Sequence, residues 1–133
     1  MTTTEREKLA KFWREQSQDD LKAAQHLIVV SRLYPQGLFF LHLAIEKILK
    51  SIFVQKTGAH PPFTHNLLTL LDRIELKISL ASLKNLAIIN EFNLSTRYPD
   101  EKAKLKQKFT AAYSKKYLKI GTSIYQWLSE QKP

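Results

Sequence analysis

The chain has 133 residues, a length that accommodates one domain with a single core. Hydrophobic residues make up 44% and charged residues 25%, with only 3 Gly, which fits a globular protein and argues against a turn-rich β-sandwich. The absence of Cys excludes disulfides, thiol nucleophiles and thiolate zinc sites, and the net charge of +9 creates a field that attracts phosphate-rich partners.

From Glu5 to about Ser31 there is no Gly or Pro, and Leu9, Phe12, Trp13, Ala23, Ala24, Leu27 and Ile28 recur at helical spacing. This predicts a long first helix, with a possible bend where Asp19 and Asp20 interrupt the stripe. Tyr34-Pro35-Gln36-Gly37 reads as a turn leading into a second helix, which runs through Phe39 to about Lys56 and stops at Gly58. This helix is apolar around most of its circumference, more than a single bundle of this size needs to bury, which predicts a central position and a homodimer.

His60-Pro61-Pro62-Phe63 forms a stiff connector, after which Thr64 or His65 is placed to cap a short third helix carrying Leu67, Leu68, Leu71 and Ile74. A fourth helix is expected through Leu83, Leu86, Ala87 and Ile88 or Ile89, ending near Leu94, because Pro99 disfavours helix at Tyr98. The last helix is predicted from Asp100 to about Ser129, with Phe109, Tyr113, Tyr117, Ile120, Ile124, Trp127 and Leu128 in one stripe. On that reading Lys104, Lys108, Lys115 and Lys119 share the opposite face, either as a solvated surface or as a track for a phosphate backbone. The fold class is therefore all-α, an up-and-down antiparallel bundle of about five helices.

His42, Glu46 and Lys50 are spaced by four and share one face of the otherwise apolar second helix. The plain reading is a solvated Glu46–Lys50 pair at the edge of the helix, and the functional one a ligand or dimer site. Thr64-His65-Asn66, at a helix start, is either an ordinary cap or an anion site. In Arg97-Tyr98-Pro99-Asp100, Asp100 is suited to capping the last helix, whereas Arg97 remains available for a carboxylate or phosphate. His60 and His65 stand five apart across two prolines with no acidic neighbour, a poor pattern for a metal. There is no Gly-rich phosphate loop and no nucleophile elbow, so neither a metal nor a cofactor is expected.

Taken together, the Trp13 region with Asp19-Asp20-Leu21 and Ala24, then Phe40-x-His42-x-Ala44-Ile45-Glu46-Lys47-x-x-Lys50, Thr64-His65-Asn66-Leu67 and Arg97-Tyr98-Pro99-Asp100 resemble a HEPN domain. The resemblance spans nearly the whole chain and implies a single domain over residues 1–133, a bundle of five helices that commonly dimerises. It also implies association with nucleotide binding, RNA cleavage and minimal nucleotidyltransferase partners in prokaryotic toxin–antitoxin or defence pairs. RNase members carry an Arg followed four to six residues later by His, and no Arg here has a His at that distance. The expectation is a cytoplasmic binding module rather than an enzyme: a homodimer that engages a nucleotide, RNA or a minimal nucleotidyltransferase through Glu46, Lys47, Lys50, His65, Arg97 and Asp100, with no membrane partner. The alternative is a metal-independent RNase using His65 and Arg97.

Overall fold

Helix α2, Tyr34–Thr57, is the axis around which the other elements pack. Pro35 sits in its first turn, where a missing N–H costs nothing, and Gly58 ends it in the left-handed region at φ 67°. Leu38, Leu41, Ala44, Ile45, Ile48, Leu49, Ile52 and Val54 are all buried, so apolar surface on every side of the helix leaves water. Each Leu or Ile removed from solvent in this way contributes roughly 1.5–3 kcal/mol before chain entropy is set against it.

The computed structural model describes residues 1–131, apart from the side chain of Thr96. Helix α1 runs unbroken over Thr3–Val29 and makes the most extensive contact with α2. The bend considered at Asp19-Asp20 does not occur, because Asp20 turns inward and its carboxylate lies 2.7 Å from Lys47 Nζ of α2. Two further polar ties hold α1 in place: Ser51 Oγ donates to the Ala10 carbonyl at 2.7 Å, and the Ser17 and Tyr125 hydroxyls share a hydrogen bond at 2.7 Å.

Helices α3, Leu67–Arg73, and α4, Leu80–Asn90, cover another side of α2 and lead into a 3-10 turn at Leu94–Thr96. Asn66, rather than Thr64 or His65, caps α3, its side-chain oxygen accepting from the N–H groups of Leu68 and Thr69. The remaining segment forms two helices, α5 over Pro99–Lys108 and α6 over Ala111–Ser129. The described residues thus contain six α-helices rather than about five, with no strand among them.

The break between α5 and α6 has a local cause. Phe109 leaves helical geometry at ψ 67° and buries its ring edge-on to Phe92 and stacked on Tyr113, at centroid distances of 5.3 and 5.7 Å. Thr110 then caps α6 by accepting from the Tyr113 N–H at 3.2 Å. Lys104 and Lys108 therefore lie on one helix and Lys115 and Lys119 on another, so they do not share a single helical face. Asp100 does not cap either helix: Tyr98 holds the N-cap position of α5 without a side-chain bond, and Asp100 follows in its first turn.

Gly121 lets α6 approach α2 closely, since a Cβ there would lie 2.7 Å from Leu41 Cδ2. With α1, α3, α4 and α6 packed against it, α2 buries most of its apolar surface, while Phe39, Phe40, Leu43 and Phe53 stay partly exposed. Among the described residues, no helix is long and apolar enough to cross a membrane.

Candidate functional site

The polar stripe of α2 is not at the solvent edge. His42, Glu46 and Lys50 are buried, with 0%, 2% and 6% of their surface exposed. Charges in such a place are retained only when paired and hydrogen-bonded, and Glu46 supplies the pairing. One of its oxygens accepts from Lys50 Nζ at 3.1 Å and the other from His65 Nδ1 at 3.0 Å. The Lys50 ammonium also lies 5.1 Å from the centre of the Trp13 ring, whose negative face favours it.

His42 completes the arrangement from one turn earlier in the helix. Its Nε2–H donates to the main-chain carbonyl of His65 at 2.9 Å, leaving Nδ1 unprotonated 3.9 Å from Glu46. Burial holds the His42 pKa below its ordinary value, against the opposing attraction of Glu46, so the ring is neutral near pH 7. His65 is thereby gripped twice, through its carbonyl by His42 and through its ring by Glu46, while its side chain stays 59% exposed. With Nδ1 donating inward, Nε2 is the ring nitrogen left for an external group.

Opposite His65 stands Arg97, in the connector between the 3-10 turn and α5. It pairs with the Glu91 carboxylate and, at 3.4 Å, with Glu101; the same Nη2 also donates to the Glu91 carbonyl at 3.4 Å. Hydrogen bonding to Glu91, followed by that to Glu101, outweighs burial and raises the Arg97 pKa, so the guanidinium is permanently charged. Its Nε is buried without a partner.

His65 and Arg97 line one polar depression of about 550 Å³, together with Phe63, Asn66, Asn90, Glu91 and Asn93. Phe63 is fully exposed at its edge, an open aromatic face that the stiff Pro61-Pro62 connector holds outward. Asn90 joins the two walls by accepting from the Leu67 N–H at 2.9 Å. Among the described residues, no group of three His, Asp or Glu side chains is disposed to hold a metal ion.

Of the residues singled out in the sequence, His65 and Arg97 come together in the depression, and Glu46 and Lys50 stand behind it as support. Lys47 points elsewhere, to Asp20 and Gln16 of α1, and Asp100 lies exposed outside the lining. Asn90, Glu91 and Asn93 were not singled out; their polar run at the end of a helical pattern, just ahead of Arg97, was the available signal.

A family model for the HEPN domain matches residues 10–131 of this chain. The crystal structure of TT1696 from Thermus thermophilus superposes with a TM-score of 0.74 at 21% identity, over 91% of this chain and 96% of that one. That likeness concerns the fold. No curated protein matches the chain at a significant level.

Proposed function

Because this chain belongs to the HEPN domain family, we propose that it binds the phosphate of a nucleotide or RNA strand in the depression between His65 and Arg97. The observation that carries this reading is that the buried Glu46 fixes His65 through Nδ1, leaving Nε2 unbonded, on a residue that lines the same depression as Arg97. A phosphate entering there competes with Glu91 and Glu101 for Arg97, whose fork matches two phosphate oxygens. Phe63 offers a stacking surface for the attached base. The net charge of +9 brings such ligands to the surface without selecting among them.

The test is calorimetric titration of the wild-type protein, Arg97→Ala and His65→Ala with mononucleotides and a short single-stranded RNA. Binding should weaken by about tenfold or more in each variant, the scale of a lost charge-assisted contact. Unchanged affinity in both variants would place any binding elsewhere. In the same reading the protein acts as a homodimer with a minimal nucleotidyltransferase partner of the toxin–antitoxin type. This part is supported by family membership rather than by a surface, and light scattering together with co-purification tests it.

The Glu46–His65 pair favours a second reading, metal-independent RNA cleavage. A carboxylate that orients an imidazole suits it to take the proton of a ribose hydroxyl, while Arg97 neutralises the phosphate. The hydroxyl oxygen attacks the adjacent phosphorus as the bond to the next ribose breaks, and the leaving oxygen takes a proton from water. Cleavage of a short RNA in the presence of chelator, lost in His65→Ala, would establish that reading; binding without cleavage would leave the first.

A further inference from the structure

On another part of the surface, the turn joining α1 to α2 faces α5 across a cleft of about 650 Å³. Its walls are carbon: Leu33, Phe39, Leu94, Pro99, Ala103 and Phe109. Arg32 from the turn and Lys102 and Lys106 from α5 complete the lining, which contains no Asp or Glu. Among the described residues none of these cations has a carboxylate within 4.0 Å; of the two acidic residues of α5, Glu101 is engaged by Arg97 and Asp100 lies outside the lining. Arg97 and the cations of the cleft are therefore in opposite situations, one paired and the others open.

Arg32 adds a separate observation. It is held at φ 57°, in the left-handed region, where Leu33 N–H closes the turn onto the Leu27 carbonyl at 2.8 Å. Glycine adopts that geometry without steric conflict, and a long cation in its place brings charge to the cleft. Helix α5 buries none of its residues fully, so its own side chains do not fill the space.

We propose that this cleft binds a small amphipathic anion with a hydrocarbon body and a single carboxylate or phosphate group. The volume lies within the range of small-molecule sites, the walls match a hydrocarbon, and three unpaired cations match the headgroup. A nucleobase fits poorly, because among the described residues Tyr34, Gln36 and Ser95 are the uncharged polar side chains in the lining, and several ring and exocyclic groups would lose water against carbon. A second copy of the chain that pairs through another surface leaves this cleft open, and one that docks here is the outcome that light scattering detects. The site is independent of the phosphate-binding reading for His65 and Arg97.

The experiment is calorimetric titration with decanoate, decyl phosphate, decanol and adenosine monophosphate, on the wild type, the double variant Lys102→Glu/Lys106→Glu, and Ala103→Trp. All three substituted side chains are exposed on α5, and thermal melting confirms that the variants fold. Saturable binding of one decanoate or decyl phosphate per chain is expected, weakened about tenfold or more by the charge reversal and abolished by Ala103→Trp, with decanol weaker than either anion. The stronger of the two anions identifies the headgroup. The proposal is overturned if neither anion binds saturably, if the variants bind as the wild type does, or if adenosine monophosphate displaces the bound anion. It is overturned equally if light scattering shows the wild type dimerising through this cleft and the charge reversal dissociating it.

Discussion

The two ends of the candidate site hold their charges in opposite ways. At one end Glu46 is buried, with Lys50 and His65 as fixed partners and Trp13 behind the ammonium. At the other, Arg97 is paired with Glu91 and Glu101, carboxylates that remain 65% and 43% exposed. A buried pair is costly to break because the survivor stays desolvated, whereas an exposed pair is exchanged for water or a ligand at little cost. The buried end is therefore suited to positioning His65, and the exposed end to releasing a guanidinium to an incoming phosphate.

That contrast is open to direct attack, and the largest effect is expected at Glu46. Glu46→Ala leaves Lys50 buried without its carboxylate and should lower stability by about 3–5 kcal/mol, read from denaturant unfolding. A loss below about 1 kcal/mol would mean that the network tolerates exchange as the surface pairs do. Removing Lys50 in the same chain, as Glu46→Ala/Lys50→Met, should recover much of the loss, since no charge is then stranded.

A smaller effect is expected at His42. Its pKa is lowered in the folded protein, so the unfolded chain binds the proton more readily. The stability that neutral His42 confers is fully present above the ordinary imidazole pKa of about 6.5 and is lost as pH falls below it toward the depressed folded value. Melting temperature measured from pH 7.5 down to pH 5 should therefore fall, and His42→Gln should flatten that part of the profile. A profile unchanged by the substitution would assign the pH dependence to other groups.

The smallest stability effect is expected at Arg97. Arg97→Ala should change stability by less than about 1 kcal/mol, because its partners are largely solvated. Glu91→Gln should leave the fold intact and raise phosphate affinity about twofold to fivefold by weakening the internal competitor for Arg97. Weaker binding in Glu91→Gln would mean that Glu91 orients Arg97 rather than competing for it.

Much of the fold was legible because its signals are local. Pro35 and Gly58 mark the ends of α2, and the apolar periodicity of α1 marks its course. The break before α6 was hidden because Phe109 continues the apolar stripe of its neighbours, and only packing against Phe92 and Tyr113 shows that its ring leaves the helix. The site was legible only in part for a related reason. Spacing by four puts His42, Glu46 and Lys50 on one face of a helix, but it does not show that Trp13 and His65 close over that face. Charge alone did not separate Lys47 from Lys50, since their roles depend on α1 presenting Asp20 to one and Trp13 to the other.

The central claim is that His65 and Arg97 form one phosphate-binding site on a rigid support, and Arg97→Lys tests it most directly. A lysine keeps the positive charge but loses the planar fork that holds two oxygens at once. Calorimetric titration of Arg97→Lys with a short single-stranded RNA, on protein whose melting temperature matches the wild type, should give an affinity as weak as that of Arg97→Ala. An affinity equal to the wild type would show that Arg97 contributes only charge or nothing, and would contradict its assignment to the site.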